Sequence, residues 1–279
     1  MDNERAIDGG PSQRPARGLP RGALRQFFAG VAYPFEGLRF IRENGLWGTC
    51  AWIVVINIVV FAAIITAALL VVKPWLVALG PYLTTTFSVQ SQFAAHLITV
   101  ITAIVWAAIV LSVIGLSGIA IVLLGQALAS PFLDAVSERV EFLVLATPEQ
   151  PLTPHRVGRA MAVGIGDLFW GGLTVVAVYT VLFLVGLIPG VGTIPATICS
   201  YTFAALLAAH QFVGLPLTRR FVNYSGRWRM VRDNLGVMLG FGSTTLLLLV
   251  VPGAGFFVLP FASVGGTLLF CDLVVSKRV

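Results

Sequence analysis

The segment Gly37-Leu38-Arg39, with Arg42 one turn further on, has the residue types best suited to holding an ion. An arginine presents a planar fork of N–H donors that matches the oxygens of a tetrahedral oxyanion, and it stays charged at physiological pH. Glycine lets a backbone approach closely, and a helix beginning at Leu38 would add unpaired N–H groups and a positive dipole end. Taking an anion out of water costs on the order of several kcal/mol, so fixed donors of this kind are what its conduit needs. Arginines beside a bilayer also contact lipid headgroups, and the residues alone leave both readings open.

A second group is acidic. Asp134, Glu138 and Glu141 fall at i, i+4 and i+7, one face of a helix. They suit a gate that pairs with arginines, either Arg139 or the group between 219 and 232. They also suit proton coupling where surroundings raise one pKa. A solvated helix face is the plainer reading. Asn57, Gln126 and His210 lie within apolar stretches. Such residues line conduits in some membrane proteins and hydrogen-bond between helices in more of them. The sequence has no HExxH, GxSxG, Walker loop or CxxC pair, and Cys50, Cys199 and Cys271 stand singly. An enzyme, a bound metal or cofactor, and an ATP-driven pump are therefore not expected.

The elements that must position these residues are membrane helices. Hydrophobic residues make up 57% of the chain and charged ones 11%, against about 25% in soluble domains. Four stretches carry no Asp, Glu, Lys or Arg: Asn44–Val72, Pro74–Leu133, Leu168–Thr218 and Asn234–Cys271. A span needs about 20 apolar residues, so these blocks hold one or two spans each. The net charge of +6 reads as topology rather than nucleic-acid binding. With both termini and the loops at 130–167 and 219–233 on one side, every Lys and Arg except Lys73 faces that side, which is then cytoplasmic.

Along the chain, residues 1–22 read as a disordered cytoplasmic tail rich in Pro, Gly and Arg, and 23–279 as a single membrane domain. Ala23–Ile41 mixes apolar residues with arginines at helical spacing, as an interfacial helix does; Pro34 and Gly37 predict two short pieces. A first long transmembrane helix is expected over Trp47–Val72, closed by Lys73-Pro74-Trp75, and a second over Phe93–Ala129. Two Pro-Gly-turned helical hairpins follow, at Pro189-Gly190-Val191-Gly192 and Pro252-Gly253-Ala254-Gly255. The short arm Gly236–Val251 suggests hairpins that enter the bilayer without crossing it. The fold class is an all-α integral membrane protein.

Several segments, in order, resemble one family. They are Gly37-Leu38-Arg39, Ser130-Pro131-Phe132-Leu133-Asp134 with Val140-Glu141, the Pro189–Gly192 turn, and the run from the arginine-rich loop through Asn234 to Gly240-Phe241-Gly242, Pro252 and Gly265-Gly266-Thr267. The set spans about Phe28 to Phe270 and resembles the CysZ-type sulfate permeases, which share a superfamily with the etoposide-induced membrane proteins. The chain departs from the pattern in its long N-terminal tail and at Val54-Val55, where a proline is expected. The resemblance implies two long helices with two partly inserted helix pairs, a homo-oligomer in a bacterial inner membrane, and uptake of sulfate or a similar oxyanion for sulfur assimilation on ion gradients. It makes Gly37, Leu38, Arg39 and Arg42 the candidate anion site on the cytoplasmic side. The alternative is a non-transporting membrane scaffold acting through protein contacts.

Overall fold

A computed structural model describes residues 15–86, 92–147, 154–251 and 254–276. All regular structure among the described residues is helical: α1 (Ala23–Glu43), α2 (Trp47–Thr86), α3 (Gln92–Leu145), α4 (Pro154–Gly186), α5 (Thr193–Val213), α6 (Leu215–Arg219), α7 (Tyr224–Asp233), α8 (Leu235–Val250) and α9 (Gly255–Val275). The chain divides into two compact units, one of Trp52–Pro131 and one of Met1–Ala51 with Phe132–Val279.

The first of these units contains most of α2 and the first part of α3. Val55, Val59, Phe61, Leu69 and Leu70 of α2 and Val100, Ile104 and Leu111 of α3 are exposed. Apolar side chains presented outward in this number are those of a surface solvated by lipid. Both helices outrun their expected ends. α2 does not close at Lys73-Pro74-Trp75 but continues to Thr86, giving 40 residues, and α3 runs 54 residues to Leu145. At 1.5 Å per residue these are about 60 and 81 Å. Asp134, Glu138 and Glu141 therefore fall in the last turns of the helix that begins at Gln92.

In the other unit, α8 and α9 form the centre, and α1 and α5 pack upon them. Phe241, Met238, Leu268, Leu269 and Phe270 are fully buried there, joined by Phe40 and Ile41 of α1. The helices meet at glycines. A methyl group on Gly30 would lie 2.8 Å from the Phe241 amide nitrogen, and one on Gly37 would lie 2.7 Å from the Gly265 amide nitrogen. On α9 the neighbours Gly265 and Gly266 serve two partners: a methyl group on the first would lie 3.1 Å from Pro34 Cα of α1, and one on the second 2.8 Å from Phe212 O of α5. Such small residues let backbones approach, the usual way membrane helices associate.

The expected break of the interfacial helix is corrected by this packing. α1 is one helix of 21 residues with Pro34 inside it. Pro34 removes one backbone bond, but it is buried against α9, and its neighbourhood holds the helix together on both sides. Ahead of α1, the Arg17 amide donates to Asp272 Oδ1 (2.6 Å) and the Leu19 amide to Ser276 Oγ (3.0 Å).

Among the described residues, Trp47–Pro74, Phe169–Gly186, Thr193–Val213 and Gly255–Val275 are long and apolar enough to cross a bilayer. α8, at 16 residues or about 24 Å, is shorter than a hydrocarbon core of about 30 Å. It qualifies only together with α7, from which it bends by 102°. The first hairpin turns where Gly190 adopts φ +81°, a conformation that favours glycine. In the second turn, Pro252 and Gly253 lie outside the described residues.

Candidate functional site

Gly37, Leu38 and Arg39 lie in the middle of α1, not at a helix start. Their N–H groups are therefore committed to the helix, and the expected dipole-end contribution does not arise. The helix also separates them. Residues two apart do not face each other: Gly37 is buried at the crossing with α9, Leu38 is half-buried, and Arg39 is exposed. Arg42, three residues on, is exposed on the Arg39 face. That face also presents Leu24, Phe28 and Phe35, all exposed. The Arg39 guanidinium donates through Nε to Glu43 Oε1 at 2.6 Å, and this bond raises its already high pKa.

The acidic face of α3 meets the arginines that follow the first hairpin. Glu141, buried, receives Arg219 Nη2 at 2.8 Å on one oxygen and Arg220 Nη2 at 3.1 Å on the other. Arg219 also donates to the Asp134 carbonyl (2.8 Å), and the Arg220 guanidinium lies 4.8 Å from the Phe270 ring centre. The Ser137 hydroxyl is within 3.3 Å of Arg219 and shares a 2.9 Å hydrogen bond with Thr267 of α9. Charges out of water need such complete pairing. Burial pushes the Asp134 carboxyl above its ordinary value, with Arg219 opposing and Glu138 reinforcing the shift.

Of the remaining candidates, Asn57 is buried and donates to the Ile53 carbonyl of its own helix at 2.8 Å. The Gln126 side chain lies outside the described residues. Glu138 is half-buried beside this cluster. His210 is buried between α5 and α7, stacked on Trp228 with ring centres 5.1 Å apart. Ser137, Thr267, Tyr224 and Trp228 were not among the expected site residues. The i, i+4 spacing of Tyr224 and Trp228 was their only signal, and it became meaningful once α5 lay alongside.

The helices and their outward apolar faces define a multi-pass α-helical membrane protein with two arginines paired to one buried carboxylate. The family model described as Sulfate transporter CysZ/Etoposide-induced protein 2.4 matches residues 33–260, and the chain belongs to that family. Relatives named Sulfate transporter CysZ, from Pseudomonas aeruginosa strains LESB58 and PAO1, are 25% identical over 251 residues. The alignment covers 87% of this chain and 94% of each relative, and the same figures hold for a Sulfate transporter CysZ of Pseudomonas paraeruginosa. The family is one of transport proteins rather than enzymes.

Proposed function

We propose that this chain is a bacterial inner-membrane permease for an inorganic oxyanion, with sulfate as the first substrate to test. The observation that carries the reading is the family match over 33–260, together with near full-length coverage of relatives named for sulfate transport. The chemistry of the site supports it. Arg39 and Arg42 present two guanidinium groups on one exposed face of α1, beside apolar side chains suited to a bilayer surface. An oxyanion captured there competes with Glu43 for the Arg39 fork. Gly37 serves this site indirectly, by seating α1 on α9. The Glu141–Arg219–Arg220 cluster is the candidate gate, since its ion pairs can open to a passing anion. Uptake runs on ion gradients, both termini are cytoplasmic, the short second hairpin enters the bilayer partway, and the working form is a homo-oligomer.

The test is labelled sulfate uptake into proteoliposomes. Uptake should exceed that of empty vesicles and fall at least tenfold in Arg39→Ala, in keeping with loss of a charge-assisted bidentate contact. Folded protein without uptake would sink the reading and favour a non-transporting scaffold. Parent-like uptake by Arg39→Ala would sink the site assignment alone.

A further inference from the structure

Three hydrogen bonds run from α6 through α3 to α9, and their protons can be assigned one by one. Arg219 Nη2 lies 3.3 Å from Ser137 Oγ, which lies 2.9 Å from Thr267 Oγ1, which lies 2.8 Å from the Ser263 carbonyl oxygen. Ser137, Ser263 and Thr267 are fully buried. A carbonyl only accepts and a hydroxyl has one proton, so Thr267 donates to Ser263. Thr267 then offers Ser137 only lone pairs, and Ser137 donates to it. Ser137 in turn has only lone pairs for Arg219, whose guanidinium only donates. The relay is therefore directed, from Arg219 to Ser137 to Thr267 to Ser263, and every proton in it has an acceptor.

Its two ends differ in firmness. Thr267 follows Gly265 and Gly266, at which α9 is clasped by α1 and α5. Arg219 ends α6, a helix of five residues, too short to hold its register by backbone bonds alone. What holds the guanidinium is the set of groups it donates to. Nη1 is on the Asp134 carbonyl, and Nη2 is divided between Glu141 Oε2 at 2.8 Å and Ser137. Ser137 and Glu141 stand at i and i+4 on α3, neighbours on one face. Without Thr267, the Ser137 proton would turn to that carboxylate and compete with Arg219 for it. We propose that Ser137 and Thr267 are positioning residues for Arg219, which aim the serine's lone pairs at the guanidinium and so keep it on Glu141. Their part in a gate rests on the permease reading; their part in holding Arg219 does not.

Two measurements on the full chain test this. The first is a thermal unfolding cycle in detergent with Thr267→Val, Glu141→Gln and the double variant. Valine keeps the shape of threonine and removes its hydroxyl. Thr267→Val should lower the melting temperature by roughly 4 °C. The double variant should fall short of the sum of the single losses, because Glu141 is what the relay serves. Additive losses overturn the proposal. The second measurement is the ratio of sulfate to chloride flux in proteoliposomes. A gate held less firmly admits chloride, so the ratio should fall roughly fivefold in Thr267→Val, the worth of one hydrogen bond. It should recover in Thr267→Ser and fall by less in Ser137→Ala, which leaves no competing proton. General damage lowers both fluxes and leaves their ratio unchanged, and that result overturns the role in gating. A larger fall in Ser137→Ala than in Thr267→Val overturns the direction of the relay. Should Thr267→Val fail to fold, Ser137→Ala with Glu141→Gln supplies the same cycle. A parent that carries no sulfate overturns the permease reading, and the unfolding cycle then decides the relay by itself.

Discussion

The two hairpins, α4 with α5 and α8 with α9, share a Pro-Gly-x-Gly turn and charge-poor arms, yet they occupy opposite environments. None of the apolar span Phe169–Gly186 in α4 is buried, whereas 78% of that in α9 is. Between α4 and α5 a groove of about 800 Å³ opens, walled by Val175, Tyr179, Phe183, Ala196 and Ser200. Lipid tails are as apolar as leucine, so hydrophobicity cannot decide which hairpin becomes the centre. Close approach decides it. Along α4, Gly166 and Gly172 stand in the open, with nothing within 4 Å of an added methyl. Those of the second, Gly240, Gly242, Gly265 and Gly266, all rest on backbone of α1 or α5. α5 belongs to both settings, with Ala205, Ala209 and Phe212 buried and Ile194, Ile198 and Tyr201 exposed.

The largest effect should come from a matched pair of alanines. Each gains up to about 1 kcal/mol of helix propensity. At Gly265, however, the methyl meets the Tyr33 carbonyl carbon at 2.9 Å and Pro34 Cα at 3.1 Å, and neither can move without shifting α1. Gly265→Ala should lose about 2–3 kcal/mol in detergent unfolding, while Gly172→Ala loses nothing. Equal losses would break the contrast.

Next comes the joint that ties the segment after the first hairpin to the last turns of α3. Glu141→Gln strips the carboxylate from Arg219 and Arg220, whose side chains are 21% and 40% exposed. Buried pairs broken on one side cost about 3–5 kcal/mol, and partial exposure here brings the expected loss to about 2. A melt identical to the parent's would show the cluster to be solvent-screened.

A smaller loss, about 1–1.5 kcal/mol, is expected from Asp272→Asn. It weakens the acceptor of the Tyr33 hydroxyl (2.7 Å) and the Arg17 amide, which anchor α1 and the chain before it to α9. Removing residues 1–19 should cost a comparable amount, measured by the same melt.

The smallest effect depends on pH. Burial raises the Asp134 carboxyl, so the folded chain holds that proton to higher pH than the unfolded one. Its contribution is most favourable below the ordinary value of 3.8 and is lost as pH rises through the raised value. Asp134→Asn should therefore stabilise at pH 7 by less than about 1 kcal/mol, with the gain fading toward pH 4. A gain that grew toward pH 4 would reverse the assigned sign.

Much of this was legible in the residues. The membrane class followed from four blocks without charge, because a bilayer admits no other kind of long segment. The first turn followed from Gly190, and the acidic face of α3 from its spacing. Local rules failed where a neighbour overrode them. Pro34 and Pro74 predict helix ends, yet both helices run on; α1 does so because α9 holds Pro34 on its buried face. Gly37 beside Arg39 looks like one site, but helical geometry turns them to opposite faces and α9 claims the glycine.

Hydropathy, charge and ordered motifs were enough to make this chain helical, membrane-bound and of one family. Which hairpin is covered, which arginines meet Glu141 and what His210 faces came from packing alone. Apolar helices in a bilayer have no preferred partner until small residues let particular backbones meet. Side chains far apart in sequence become neighbours only after that choice is made.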